Sequence, residues 1–124
     1  MVKLFLQPQE VEVFYVLPTL RRHFAEYLEE SGIKQKDIAS ILGVTPASVS
    51  QYSKKRGHKV DFPPEILTEV KQSAAQIKDR FTYIQETQRL LALLRKSCVM
   101  CTIHKQFSSV PENCEPQVMG CHLT

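Results

Sequence analysis

No cysteine occurs in the first 97 residues of this 124-residue sequence. A long apolar run is also missing, because Glu10 and Glu12 interrupt the opening segment MVKLFLQPQEVEVFYVL before a secretory or membrane-spanning stretch could form. We therefore expect a cytoplasmic protein with no membrane segment. In that reducing compartment, the four cysteines clustered in residues 98–124 indicate metal ligands or redox-active thiols rather than structural disulfides.

Signatures of catalysis are absent from the sequence as well. It has no glycine-rich phosphate-binding loop, no paired-carboxylate arrangement and no nucleophile signature. We therefore do not expect an enzyme. The hydrophobic content of 43% is that of an ordinary folded chain, which excludes a fully disordered protein.

The excess positive charge lies in the first half of the chain. Residues 1–60 carry nine Lys or Arg against six Asp or Glu, whereas residues 61–124 carry seven of each kind. Much of the excess falls in the run KKRGHK, which begins at Lys54. Such a run is either a solvated surface or a nucleic-acid contact, and the segment before it decides between these interpretations.

Hydrophobic spacing predicts an all-α fold. Leu20, Phe24 and Leu28 recur every four residues, which indicates an amphipathic helix that begins near Pro18 and ends at the following Ser-Gly pair. The segment before that helix is irregular, and both a strand and the beginning of a helix are open for it.

Two short helices are predicted next. The first covers residues 35–42, and Gly43 follows it as the residue able to adopt a left-handed conformation. Thr45 then offers a hydroxyl N-cap, with Pro46 at the first helical position, so the second short helix should run to about residue 52.

A much longer helix is predicted over residues 64–95, because neither Gly nor Pro occurs after its first residue. At 1.5 Å per residue it would be roughly 45–50 Å long, too long for three short helices to cover. We expect it to pack partly on a second copy of the chain, and the alternative is a broken pair of core helices within a monomer. Its near-heptad apolar positions are Ile66, Val70, Ala74, Ile77, Phe81, Ile84 and Leu91.

The segment QKDIASILGVTPASVSQYSKKRG, which starts at Gln35, has the layout of a helix-turn-helix. Two helices cross closely only where a small residue lies at their contact, and Ala39 supplies it. The turn needs a backbone without a hindering side chain, and Gly43 supplies that. The small core behind the second motif helix is predicted to consist of Ile38, Leu42, Val44, Val49 and Tyr52.

On these residues the sequence resembles the phage-repressor-like (Xre-type) helix-turn-helix transcriptional regulators of prokaryotes, in particular those with GVTxxxVSQY followed by a KRG-type sequence. The resemblance covers about residues 17–60. It implies a compact helical domain that places its second motif helix in the major groove of double-stranded DNA and usually binds a palindromic operator as a homodimer. It implies nothing about the C-terminal half.

Side chains on the outer face of the third helix are the candidates for base readout. Gln51 can pair bidentately with adenine, and an alanine methyl can meet the thymine methyl. The predicted base-reading residues are Thr45, Ala47, Ser48, Ser50 and Gln51. The predicted phosphate contacts are Gln35 and Lys36 at the start of the first motif helix, and Lys54, Lys55, Arg56 and Lys59 in the basic run.

The cysteines follow the pattern C-x2-C-x12-C-x6-C, whose tight first pair lets two thiolates converge from one turn. The second cysteine pair, Cys114 and Cys121, is separated by six residues, which is wider than the ligand pairs of structural zinc sites commonly are. We therefore favour an iron–sulfur cluster, [2Fe–2S] or [4Fe–4S], over Zn²⁺. Disulfides, free thiols and a thioredoxin-like redox pair are the other interpretations. The predicted ligands are Cys98, Cys101, Cys114 and Cys121, with His104 and His122 as alternates.

Together these features indicate a homodimeric DNA-binding transcriptional regulator whose cysteine cluster senses redox state, oxygen or iron–sulfur supply. The hypothesis divides the chain into a DNA-binding domain over residues 1–62, a dimerisation helix over 63–97 and a metal-binding tail over 98–124. In one alternative the tail is a purely structural zinc site. In another the chain is a protein-interaction adaptor or an antitoxin-like partner.

Overall fold

The computed structural model describes residues 5–52 and 60–110, which form helices and no strand. The all-α prediction is confirmed for this part of the chain. A π-helical turn, Glu12–Val16, joins the first two helices. In chain order the helices are α1 (Pro8–Val11), α2 (Leu17–Glu30), α3 (Gln35–Leu42), α4 (Pro46–Tyr52), α5 (Pro64–Gln76), α6 (Arg80–Lys96) and α7 (Val99–Phe107).

The amphipathic helix predicted to begin near Pro18 is α2, which begins at Leu17 with the proline in its first turn. The segment before it, for which a strand and the beginning of a helix were both open, is helical, so helical structure runs without interruption from Pro8 to Glu30. Pro18 has no N–H, and in a regular α-helix its ring would clash with the carbonyl four residues earlier. The chain widens into a π-helical turn just before the proline, where the Leu17 N–H bonds to the Glu12 carbonyl.

Helix α2 forms the centre of the fold. Leu20, Phe24 and Leu28 are buried along one side of it, as their spacing predicts, and α3, α4 and α5 all pack against this helix. The ring of Phe24 meets Tyr83 of α6 edge to face, with ring centroids 6.0 Å apart. Helices from both halves of the chain therefore share one core.

The prediction of one long helix in the second half is wrong, because α5 ends at Gln76 and α6 begins at Arg80. Ile77 is extended at the break, and the side chain of Asp79 accepts a hydrogen bond from the Thr82 N–H at 2.8 Å. The Thr82 hydroxyl oxygen in turn accepts from the Asp79 N–H at 3.0 Å. Bonds from the Thr82 backbone and side chain hold the pKa of the Asp79 carboxyl below its ordinary value. A capping aspartate therefore starts a new helix here without Gly or Pro.

The break divides the predicted apolar seam. Ile66 and Val70 of α5 are buried with the side chains of α2, whereas Phe81 and Ile84 of α6 are 68% and 59% exposed. The broken pair of core helices, the alternative to a single helix, is what the structure contains. The domain boundaries predicted at residues 62 and 97 stay predictions.

Part of the cysteine-rich tail is a helix that belongs to the core. Helix α7 begins directly after Cys98 and packs on α1 and on α6. It buries Met100 and Ile103 among the other core side chains. The first two cysteines therefore lie on an element that is packed against the beginning of the chain.

Candidate functional site

A tight turn joins α3 to α4. Gly43 has a φ of +69°, and the Val44 N–H bonds to the Ala39 carbonyl at 3.0 Å. A Cβ added at Gly43 would meet no atom within 4 Å, so the glycine is required by its left-handed backbone and not by lack of space. Ala39 is buried, as expected of a small residue at a helix contact.

Replacing Gly43 by alanine is expected to lower the free energy of unfolding by about 1 kcal/mol, because a Cβ strains the left-handed conformation. Urea unfolding of both proteins measures the difference. Gly43→Asn is the control, and it should fall between the wild type and Gly43→Ala, because asparagine tolerates this conformation better. An alanine variant as stable as the wild type would contradict the assigned role of the glycine.

The start of α4 is fixed by two hydroxyl groups. The Ser48 N–H donates to Oγ1 of Thr45 at 3.1 Å, and the two side-chain oxygens lie 2.9 Å apart. Thr45 is therefore the N-cap of α4, as its sequence position predicts. Two of the predicted base-reading residues therefore also have a structural role, which the sequence predicts for Thr45 and not for Ser48.

The outer face of α4 carries the remaining base-reading candidates. Ala47 and Gln51 are exposed, Ser50 is half-buried, and Val49 between them is buried in the core. The predicted core behind this helix is confirmed, since Ile38, Leu42 and Val49 are buried and Val44 and Tyr52 pack against them. What α4 presents outward is a small methyl group beside a long amide side chain.

The predicted phosphate contacts fall into two groups. Gln35 and Lys36 are exposed in the first turn of α3, where backbone N–H groups lack helical partners. Asp37 lies in the same turn and weakens the positive potential there. The other candidates, Lys54, Lys55, Arg56 and Lys59, lie outside the described residues.

Two thiols lie one helical turn apart at the start of α7. Cys98 is exposed and precedes the helix with a φ of +63°, and Cys101 is half-buried within the first turn. Two accessible thiols in one turn fit half of a four-thiolate ligand set. No group of three His, Cys, Asp or Glu side chains that could hold a metal ion occurs within residues 5–52 and 60–110. The other predicted ligands, Cys114, Cys121 and the alternate His122, lie outside those ranges.

His104 is held by the fold at one ring nitrogen. It is buried, and its Nε2 lies 2.7 Å from the carbonyl oxygen of Leu6. Because that oxygen can only accept, Nε2 carries the proton and donates it. As an alternate metal ligand, His104 therefore cannot use Nε2 while this bond is made.

No sequence signal pointed to the ion pair between Glu12 and Arg95, which are 83 residues apart. Arg95 Nε donates to Oε2 of Glu12 at 3.0 Å, and the second bond, from a terminal guanidinium nitrogen to Oε1, is 2.7 Å long. Hydrogen bonding to Glu12 raises the pKa of the Arg95 guanidinium above its ordinary value. Glu12 is itself buried, so this is a bidentate pair with little solvent on the carboxylate side.

A shallow groove lies between α3 and the start of α6. Arg80 crosses it, and its Nε donates to the Ser40 carbonyl at 2.7 Å. Lys78 and Asp79 add charges of opposite sign on the α6 side, so the groove favours neither cationic nor anionic ligands. The hydrogen bond from Arg80 to Ser40 connects α6 to α3 across this groove.

Comparison with known proteins adds no relative. No protein family, curated protein or solved structure matches the chain. None of the helices in the described part of the chain combines the length and the apolarity that a membrane span requires. The α3–α4 surface and the thiols are therefore the features of the chain that bear on its function.

Proposed function

We propose that the chain is a sequence-specific DNA-binding transcriptional regulator of the phage-repressor-like helix-turn-helix kind, acting in the cytoplasm. The observation that carries the proposal is the pair of helices α3 and α4, joined at left-handed Gly43 and capped at Thr45, with Ala47 and Gln51 facing outward. In the proposal, α4 enters the major groove of a B-form duplex while α3 lies across the phosphate backbone.

The distribution of charge supports the same partner. The net charge of +3 is carried entirely by residues 1–60. Lys36 at the start of α3 and the basic run from Lys54 to Lys59 would flank a duplex held on α4, where they supply affinity without sequence information. Each phosphate contact of this kind makes the logarithm of the binding constant fall with the logarithm of salt concentration, by a slope of about 0.9.

Gln51→Ala tests the placement of the recognition helix. Duplexes are first selected from a random-sequence library with the full-length protein, and affinities are then measured for one selected and one random duplex. The variant should bind the selected duplex about 5- to 150-fold more weakly, which corresponds to the 1–3 kcal/mol of a lost bidentate base contact, and should bind the random duplex as the wild type does.

Gln88→Ala is the matched control, because Gln88 is an exposed glutamine on α6, outside the α3–α4 pair. It should leave both affinities unchanged. If Gln51→Ala weakens binding to the selected and the random duplex equally, the proposed placement of α4 in the major groove is wrong. Failure to select any duplex would remove the proposed function itself.

We propose further that Cys98, Cys101, Cys114 and Cys121 hold an iron–sulfur cluster, with Zn²⁺ as the alternative. The support is the accessible thiol pair at the start of α7 and the absence of cysteine from the first 97 residues. A bound cluster would supply a redox- or oxygen-sensitive input. Visible absorbance of protein purified without oxygen, with iron, sulfide and zinc measured in the same sample, tests the proposal. Colourless protein with one zinc per chain would establish the structural alternative.

We also propose a homodimer, on the basis of two exposed side chains of α6. The single long helix predicted to pack on a second copy is absent, because α5 ends at Gln76 and α6 begins at Arg80. Phe81 and Ile84 lie one turn apart on α6 and are largely exposed, and a second copy of the chain would cover such a pair. A two-fold symmetric operator would also need two recognition helices. Sedimentation equilibrium of the full chain, with and without duplex, tests it.

A further inference from the structure

Helix α7 and the residue that follows it hold residues 5–16 through hydrogen bonds to Leu6. The Leu6 N–H donates to Oγ of Ser108 at 2.9 Å, and the Leu6 carbonyl accepts from Nε2 of His104 at 2.7 Å. Ser108 and His104 are both buried, so the side-chain end of each bond is shielded from water. Both polar backbone groups of Leu6 are thus satisfied by the end of α7.

Two further contacts fix the π-helical turn to the same end of the molecule. The ring of Tyr15 stacks on Phe107 of α7, with centroids 4.1 Å apart and planes 14° from parallel. Glu12 makes its bidentate pair with Arg95 in the last turn of α6, three residues before Cys98. Helices α6 and α7, which flank Cys98, therefore contact residues 5–16 at both ends of that segment.

The held segment continues directly into the core of the proposed DNA-binding unit. No non-helical residue separates the π-helical turn from α2, and α2 packs against α3 and α4. A change in the position of residues 5–16 would therefore affect α2, against which α3 and α4 pack.

The π-helical turn is the place where the contacts of this segment meet α2. Glu12 and Tyr15 lie inside the turn and contact Arg95 and Phe107. The N–H of Leu17, the first residue of α2, bonds to the Glu12 carbonyl. Packed side chains and hydrogen bonds of this kind carry coupling between distant sites.

We propose that α7 is a latch on residues 5–16 and that the state of the Cys98 and Cys101 thiols decides how firmly the latch is closed. Cys98 has the only left-handed non-glycine backbone among the described residues, a conformation that is strained for a residue with a Cβ. Metal ligation through both thiols would hold that conformation and the first turn of α7, because a ligand that binds one state stabilises it. Loss of ligation then loosens the latch. The inference rests on the part of the proposed function that gives these thiols a metal.

Amide hydrogen exchange at Leu6 measures the latch directly, because that N–H is one of its bonds. The full chain is reduced, stripped of metal with a chelator and kept without oxygen, and exchange is followed by NMR before and after one equivalent of Zn²⁺. Zinc should slow exchange at Leu6 at least about tenfold, by stabilising the closed state. Exchange that changes less than twofold would overturn the proposal, as would zinc that fails to protect Cys98 and Cys101 from alkylation.

Matched variants separate the latch from general stabilisation. Ser108→Ala removes the acceptor of the Leu6 N–H and should give fast exchange at Leu6 with and without zinc. Ser109→Ala changes an exposed neighbouring serine and should behave as the wild type. The double variant Cys98→Ser with Cys101→Ser should lose the response to zinc. A zinc response that survives in this double variant, or is lost equally in Ser109→Ala, would overturn the latch.

Duplex binding is measured on the same samples, so that the two proposals fail separately. If no duplex binds with or without zinc while Leu6 responds to zinc, the regulator is wrong and the latch stands. If a selected duplex binds and Leu6 exchange is unchanged by bound zinc, the latch is wrong and DNA binding stands. If zinc changes both, the latch and the regulator are supported together.

Discussion

Replacing Phe24 by alanine is expected to lower the free energy of unfolding by about 3–5 kcal/mol, the cost of removing a buried aromatic side chain and leaving a cavity. Phe24 is fully buried in the middle of α2, the helix against which α3, α4 and α5 pack, and its ring also meets Tyr83 of α6. Few side chains could close such a gap without moving a helix. Because small domains are stable by only about 5–15 kcal/mol, much of the total would be lost.

Chemical denaturation monitored by circular dichroism measures the change, and Phe14→Ala is the control. Phe14 is also a phenylalanine in a helical segment, but 55% of it is exposed, and it lies outside the proposed dimer contact. Its replacement should change the unfolding free energy by no more than about 0.5 kcal/mol, as surface substitutions usually do. Equal losses in the two variants would mean that Phe14 is packed in the core and that the π-helical turn differs from the arrangement described above.

Features determined by neighbouring residues were predictable from the sequence. The bounds of α3 and α4, the left-handed Gly43 and the capping hydroxyl of Thr45 all follow from interactions within four residues along the chain. The burial of Leu20, Phe24 and Leu28 follows from helical periodicity in the same way. Such signals need no knowledge of what packs opposite.

The break between α5 and α6 has a local signal in the sequence that the prediction of one long helix does not use. The absence of Gly and Pro predicts a continuous helix, but Asp79 followed three residues later by Thr82 is a reciprocal capping pattern. The apolar spacing obscures this capping pattern, because Ile77 and Phe81 continue the helical periodicity of α5. The capping pair is the stronger signal, because it satisfies backbone N–H groups at the start of a helix that apolar periodicity alone leaves without partners.

The contacts of residues 5–16 with α6 and α7 cannot be predicted from the sequence, for a different reason. Leu6 and Ser108 are 102 residues apart, and Glu12 and Arg95 are 83 apart. Neither pair has a periodic pattern, a motif or a charge run. Both pairs form through the packing of elements that are distant in the sequence. The candidate DNA surface, which is local, was therefore outlined from sequence, whereas the elements connected to the thiols were not.

Arg95→Met is expected to lower the free energy of unfolding by about 2–4 kcal/mol, because it leaves the buried carboxylate of Glu12 without its partner. This loss lies toward the lower end of the range for broken buried ion pairs, because the Arg95 side chain is 29% exposed. The Glu12 side chain is only 9% exposed, so its carboxylate still lacks solvent. Lys96→Met is the matched control, as it removes the same charge from the next, exposed residue. Urea unfolding should show little change for Lys96→Met.

The double variant Glu12→Gln with Arg95→Met distinguishes a buried charge from lost packing. Most of the penalty of Arg95→Met should come from the stranded carboxylate, so neutralising Glu12 as well should recover stability relative to Arg95→Met alone. If the double variant is instead less stable than Arg95→Met, the carboxylate of Glu12 is not a stranded charge in Arg95→Met, and the cost of that variant has another origin. Recovery would also mean that the π-helical turn keeps its place without the ion pair. The bonds of Leu6 and the stacking of Tyr15 on Phe107 would then be sufficient to hold the beginning of the chain against α7.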